Sequence, residues 1–119
     1  MKTVTVLVST YNGQKYLSKQ LDSLISQVGV DMKIIVRDDG SSDGTRQILR
    51  NYAQTYSNIQ LLFEDNCGAE ESFNKLCQYS LQQDLTDYYA FCDQDDVWAN
   101  DKLSIAIQSL EKFDHLVPN

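Results

Sequence analysis

Four short runs of almost unbroken apolar and β-branched residues, each followed by a polar stretch and a helical stripe, constrain this chain most. The runs cover residues 4–8, 32–36, 59–63 and 88–92. Near-continuous hydrophobicity over so short a span is what a parallel strand covered on both faces requires, whereas a strand with one wet face would alternate. Between the runs, Leu17, Leu21, Leu24, Ile25 and Val28 recur at helical spacing. So do Ile48, Leu49, Tyr52, Ala53 and Tyr56, then Phe73, Leu76, Cys77 and Leu81, and finally Leu103, Ala106, Ile107, Leu110 and Phe113. The order β-α-β-α-β-α-β-α predicts an α/β domain of three layers around a mainly parallel sheet. Ser42-Asp43-Gly44-Thr45 offers capping groups ahead of the second helix, and the only proline, Pro118, falls after the last stripe. At 119 residues the chain is one domain, and no linker or repeat interrupts the alternation.

In such a sheet, ligands bind beyond the carboxyl ends of the strands, where the crossover connections open a crevice. The polar segments fall there in turn: Thr10-Tyr11-Asn12-Gly13 after the first run, Asp38-Asp39-Gly40-Ser41 after the second, Asp65-Asn66-Cys67-Gly68 after the third and Asp93-Gln94-Asp95-Asp96 after the fourth. Four such loops at one edge make a site. The formal net charge of −7, with acids gathered at 38–39, 64–65, 70–71 and 93–96, disfavours a nucleic-acid backbone as partner and suits a cation. Cys67, Cys77 and Cys92 are odd in number and lack C-x-x-C spacing, which points to reduced thiols in a cytoplasmic protein. The apolar run at 4–8 is too brief for a signal peptide or a membrane span.

The last loop is the most specific. A helix-capping turn needs one carboxylate, or two, and Asp93, Asp95 and Asp96 put three within four residues. Hard oxygens at a strand end suit Mg²⁺ or Mn²⁺, which bind few protein carboxylates and complete their shells with water and phosphate. Asp93 and Asp95 are the candidate metal or ribose contacts. Asp39 is a candidate acceptor for the imide N–H of uracil or thymine, and Tyr11 for packing on base or ribose. Each loop also has a plain reading as a turn. The segment from Asp39 superficially resembles a calcium loop, yet its last position, where a bidentate Glu belongs, is Arg50. Neither G-x-G-x-x-G nor G-x-x-x-x-G-K-[ST] occurs. His115 is the only histidine and sits near the chain end, so no Ser-His-Asp set can be assembled without it. Trp98 reads as a core or crevice-wall aromatic, and Lys102 as a surface lysine or a phosphate contact.

Taken in order, Val6-Leu7-Val8-Ser9-Thr10-Tyr11-Asn12-Gly13, Ile34-Ile35-Val36-Arg37-Asp38-Asp39-Gly40-Ser41-Ser42-Asp43-Gly44-Thr45 and Asp93-Gln94-Asp95-Asp96-Val97-Trp98 with Lys102-Leu103 resemble family 2 glycosyltransferases. The resemblance runs from near residue 4 to near residue 110. It implies a Rossmann-like GT-A fold and inverting sugar transfer from a nucleotide-diphospho-sugar, with Mg²⁺ or Mn²⁺. It assigns Thr10, Tyr11 and Asn12 to the nucleoside pocket, Asp39 to the base, and Asp93 and Asp95 to the D-x-D pair that meets ribose, diphosphate and metal. Asn66, Gly68 and Asn74 look like the family's N-x-G-x-x-x-x-x-N segment. The family often carries an arginine just before that last Asn, where this chain has Phe73.

The resemblance further implies an acceptor-binding half carrying the Asp or Glu general base, expected beyond Asn119. Residues 1–119 thus read as the donor-nucleotide-binding domain, ending before the acceptor half. The implied activity is transfer from a UDP- or dTDP-sugar to a saccharide or lipid-linked saccharide acceptor of a bacterial surface polysaccharide, in the cytoplasm or at the inner face of the membrane. A second reading is a non-catalytic nucleotide-binding or interaction module lacking that half. A receiver-like domain is a third, but it needs a fifth strand that this sequence does not supply. A sheet ending at its fourth strand leaves an open edge, which predicts dimerisation or marginal stability.

Overall fold

The computed structural model describes residues 1–83 and 85–116, with the side chains of 114–116 excepted; Pro118 and the His115 side chain lie outside the described residues. The elements run β1 (Thr3–Thr10), α1 (Leu17–Ile25), β2 (Asp31–Asp39), α2 (Thr45–Thr55), β3 (Ile59–Glu64), α3 (Ala69–Leu81), β4 (Tyr88–Cys92) and α4 (Lys102–Leu116). The strands form one sheet in the order β3-β2-β1-β4, and every pairing is parallel. Strand alternation divides the core. Val4, Val6, Val8, Ile34, Val36 and Cys92 face a layer that includes Leu17, Leu21 and Leu24 of α1, Leu49 of α2, and Leu103 and Ile107 of α4. Leu7 and Ile35 face the other way and meet Leu76 of α3. The predicted three-layer α/β architecture is therefore present, with three helices on one face and one on the other.

Several boundaries differ from the sequence expectation. β2 continues through Asp38 and Asp39, whose register partners are Thr10 and Glu64. The paired acids are thus the last strand residues and not a loop. The strand tolerates them because both carboxylates are hydrogen-bonded inside the fold. Val28 lies past the end of α1 and is 53% exposed. The apolar stripe of α4 is covered only in its first half: Leu103 and Ile107 are buried, while Leu110 and Phe113 are exposed. α2 takes Gly44 as its N-cap without a side-chain cap bond. Asp43 does the capping work from one residue earlier, its Oδ1 accepting from the Thr45 backbone N–H and hydroxyl.

Gly40 makes the turn out of β2. Its φ of +81° lies in the left-handed region, and an added Cβ would stand 2.9 Å from the Asn66 backbone nitrogen. Gly40→Ala is expected to lower stability by about 1–3 kcal/mol, since strain and a backbone clash act together. Urea unfolding that shows no loss would contradict this account of the turn.

Candidate functional site

Because Asp38 and Asp39 are successive strand residues, their side chains leave opposite faces of the sheet. Asp38 points toward the three-helix face, fully buried. It accepts from the Thr10 hydroxyl at 2.8 Å, the Ser41 N–H at 2.9 Å, the Ser41 hydroxyl at 2.6 Å and Arg46 Nε at 2.7 Å. Burial alone would raise its pKa, but these bonds outweigh that and hold it below the usual carboxylate value. Asp38 ties the ends of β1 and β2 together. Thr10, assigned above to a nucleoside pocket, is buried and spends its hydroxyl on that tie.

Asn12 has a similar task. With φ at +49°, it accepts the Ser42 N–H through Oδ1 at 2.8 Å, while its own N–H donates to Ser41 Oγ at 2.8 Å. Gln14 and Gly13 add bonds to Gly44 and Thr45. The loops after β1 and β2 are thereby fixed to each other before any ligand arrives.

Asp39 points toward α3 and is 2% exposed. Oδ1 accepts from Arg37 Nη1 at 2.6 Å and the Cys67 N–H at 2.9 Å; Oδ2 accepts from the Gly68 N–H at 3.0 Å and Asn66 Nδ2 at 3.1 Å. The Cys67 thiol also lies 3.4 Å from Oδ1. Burial works to raise the Asp39 pKa, and the Arg37, Cys67 and Gly68 bonds overcome it, so the carboxyl stays ionised below the usual range. The Cys67 pKa is raised by burial and by donation to Asp39, against the lowering effect of Arg37.

Arg37 is the residue that sequence reasoning passed over. Its side chain is fully buried beneath the site. Nε reaches Glu64 at 2.8 Å, Nη1 reaches Asp39 and, at 2.9 Å, Ser72 Oγ, and Nη2 reaches the Asp65 carbonyl at 3.0 Å. Burial would lower its pKa, yet the bonds to Asp39 and Glu64 leave it raised. The signal was available: a cation directly after the apolar Ile34-Ile35-Val36 and directly before two acids needs partners there.

Both Asp38 and Asp39 have pKa values depressed from 3.8. Their contribution to stability is therefore complete above that value and disappears as pH falls through the lowered folded-state values. Urea midpoints are expected to hold from neutral pH to about pH 4 and to fall below it. A midpoint unchanged at pH 2.5 would contradict this.

At the carboxyl edge, on the α3 side, a cavity of about 410 Å³ is lined by Ser9, Tyr11, Asp39, Asn66, Gly68, Phe73, Asp93 and their neighbours Ala69 and Gln94. It collects residues from the loops after β1, β3 and β4 and from the end of β2. Tyr11 is 46% exposed at its rim, and Phe73 meets Phe91 edge-on with ring centres 5.6 Å apart. Gly68, with φ at +93°, leaves open space where a side chain would project. Asn74 is exposed on α3 and does not line the cavity. A larger cavity, about 580 Å³, lies at the amino ends of the strands between Thr3, Asp31, Lys33 and Asn58. It lacks converging carboxylates and glycine turns, so the carboxyl edge is the stronger candidate.

The acidic turn is rigidly hung. The Asp93 carbonyl accepts Gln20 Nε2 at 2.7 Å and the Asp96 N–H at 3.1 Å, and Asp95 has φ +66°. The carboxylates of Asp93, Asp95 and Asp96 are exposed, and among the described residues none is ion-paired or hydrogen-bonded. Among the described residues no three His, Cys, Asp or Glu side chains form a ready cage for a metal. The donor set suits a cation held by one or two carboxylates and completed by ligand oxygens, not a structural metal. Beside the turn, Trp98 is buried under Lys102, whose Nζ stands 4.9 Å from the ring centre. Cys92 is buried behind it, its thiol pushed up by burial to about 11.

Residues 5–119 match the family described as glycosyl transferase family 2. A dTDP-rhamnosyl transferase, RfbG of Shigella flexneri, is 38% identical over 106 residues, covering 87% of this chain and 36% of that protein. The crystal structure of S. aureus TarS 1-349 in complex with UDP-GlcNAc is 30% identical with a TM-score of 0.78, covering 94% of this chain and 32% of that one. The mannosyltransferase PcManGT from Pyrobaculum calidifontis, in complex with GDP-Man and Mn²⁺, is 26% identical with a TM-score of 0.73, covering 88% of this chain and 31% of that one. The chain spans about a third of the length of these relatives.

Proposed function

The chain belongs to glycosyl transferase family 2, and from that premise we propose that its carboxyl-edge cavity binds the nucleoside diphosphate of a UDP- or dTDP-sugar for inverting transfer to a saccharide or lipid-linked saccharide of a bacterial surface polysaccharide. The observation that carries the reading is the single cavity shared by Tyr11, Asp39, Asn66, Gly68 and Asp93. An ionised carboxylate at its floor favours a base with a ring N–H, which uracil and thymine have and cytosine and adenine lack. Tyr11 supplies an aromatic wall, and the glycine at position 68 keeps the entrance to α3 open. Thr10 and Asn12 act by holding the loops, and Asn74 stands on the outer surface of α3 as a contact for a longer ligand.

Asp93 and Asp95 are the residues to hold Mg²⁺ or Mn²⁺, since their carboxylates are exposed and unpaired. Such a cation, when bound, supplies Lewis-acid neutralisation of the diphosphate charge. The relatives' names support the ligand class: one is a dTDP-rhamnosyl transferase and another was crystallised with UDP-GlcNAc. The non-catalytic binding module shares this site, and only an acceptor half with a general base separates the two readings. We place the work in the cytoplasm or at the inner face of a membrane, in keeping with three free cysteines. Among the described residues no helix is long and apolar enough to cross a membrane.

Calorimetric titration with UDP, dTDP, CDP and ADP tests the ligand class. UDP and dTDP are expected to bind at least about tenfold tighter than CDP or ADP, the discrimination a hydrogen bond to a charged group supplies. Equal affinities would refute base recognition by Asp39. The proposal extends to pairing of two copies through the open edge of β4, where Phe91 is 52% exposed. A stable monomer by light scattering would remove that part alone.

A further inference from the structure

An ionised carboxylate offers about four lone-pair positions, and in this structure all four of Asp39's are filled from within the chain. Arg37 Nη1 and the Cys67 N–H take Oδ1, where the Cys67 thiol stands as a further, longer donor at 3.4 Å, and the Gly68 N–H and Asn66 Nδ2 take Oδ2. A base N–H therefore has no vacant acceptor there. Three of the four donors cannot leave cheaply. Arg37 is a fully buried cation, and the Cys67 and Gly68 donors are main-chain groups leading into α3. Asn66 Nδ2 is different: it is the neutral side-chain donor on Oδ2 and has the longest of the four nitrogen bonds. It also donates to the Asp39 carbonyl at 3.0 Å, so it keeps a partner if it turns away from the carboxylate. Asn66 itself lines the cavity.

We infer that Asn66 is a specificity-determining placeholder: its amide occupies the Asp39 Oδ2 position meant for the imide N–H of a uracil or thymine base, and yields only to a base that supplies an equivalent donor. This rests on the reading of the cavity as a pyrimidine-nucleotide site and adds how that site stays selective. A base without the N–H gains nothing at Oδ2 and must still displace an amide that donates there. A base with the N–H exchanges one neutral donor for another and leaves the carboxylate satisfied throughout. Keeping the carboxylate filled before binding also removes the cost of a bare buried charge, so the pocket stays formed without ligand.

The test compares UDP with N3-methyl-UDP, which lacks only the imide hydrogen, on wild type and Asn66→Ala at constant Mg²⁺. Wild type is expected to bind UDP at least tenfold tighter than the methylated analogue. Asn66→Ala, with the competitor gone, is expected to bind UDP at least fivefold tighter than wild type does, with no comparable gain for N3-methyl-UDP. Equal gains for both ligands would make Asn66 mere bulk and overturn the placeholder while leaving base recognition standing. Equal binding of both ligands by wild type, or none, would overturn base recognition and the placeholder with it. Should Asn66→Ala not fold, the side-chain amide protons of Asn66 in wild type decide by NMR. They are expected to be shielded from solvent exchange without ligand and to exchange faster once UDP binds; unchanged exchange in the UDP-bound protein would refute the idea.

Discussion

Arg37→Met is expected to cost about 3–5 kcal/mol, the usual consequence of removing one partner of a buried ion pair. The guanidinium is fully buried, and Asp39 beside it is nearly so. Methionine fills most of the volume but leaves the Asp39 carboxylate with neutral donors only and no cation. Glu64, half exposed, can turn to water and adds little. Small domains are stable by roughly 5–15 kcal/mol, so this loss is a large share of the whole. Urea unfolding at pH 7 measures it, and a deficit under about 1 kcal/mol would show that the pair is not a structural anchor. The deficit is also expected to narrow as pH falls. Without Arg37 the folded-state pKa of Asp39 rises, so protonation removes the unpaired buried charge at a less acid pH than in wild type.

Asp38→Ala is expected to be nearly as damaging, at about 3 kcal/mol, for a different reason. It strands the Thr10 hydroxyl and the Ser41 N–H, both turned inward toward a carboxylate that is no longer there. An unsatisfied buried donor costs about 1–3 kcal/mol. Arg46, 30% exposed, recovers water and softens the loss. The variant also unties the loops after β1 and β2, so nucleotide affinity should fall although Asp38 lies on the sheet face away from the cavity. Unfolding and titration of the same preparation check both halves. Wild-type affinity in a destabilised variant would mean that the Asn12–Ser42 bonds suffice to hold the loops.

The neighbouring acids show where sequence reasoning succeeds and stops. Four apolar runs give the four strands because only a parallel sheet buried on both faces makes such runs. The loops after them were legible as one edge because crossover connections put them there. What was not legible is that β2 carries on through Asp38 and Asp39. A sequence reader ends a strand at the first acid pair, since charge normally marks the exit to solvent. Here partners distant in sequence, Thr10, Arg46, Cys67 and Gly68, satisfy the charges. Once the strand is extended, its period of two separates a loop-tying Asp38 from a cavity-facing Asp39.

Arg37 stayed hidden for the same reason, and Asn66 was visible only as part of a family segment: what each does lies in long-range partners and not in local pattern. The α4 stripe erred in the other direction. Leu110 and Phe113 keep helical spacing yet stand exposed, because periodicity reports an apolar face and not what covers it. Val28 fits the α1 stripe by spacing alone; the helix ends at Ile25, and the positive φ of Gly29 turns the chain away.

Under the proposed function, the cavity and the acidic turn together bind a nucleoside diphosphate with a divalent cation. Calorimetric titration of UDP with and without Mn²⁺, against wild type and Asp95→Ala, tests it most directly. Asp95 is exposed and its carboxylate bonds nothing in the fold, so the substitution costs only the small strain of alanine at a φ of +66° and should leave the protein folded. Binding to wild type is expected to depend on Mn²⁺ and to weaken at least about tenfold in Asp95→Ala, in line with loss of a ligand to a hard cation. Folded wild-type protein that binds no UDP, or binds it equally with and without Mn²⁺ and Asp95, would contradict the claim.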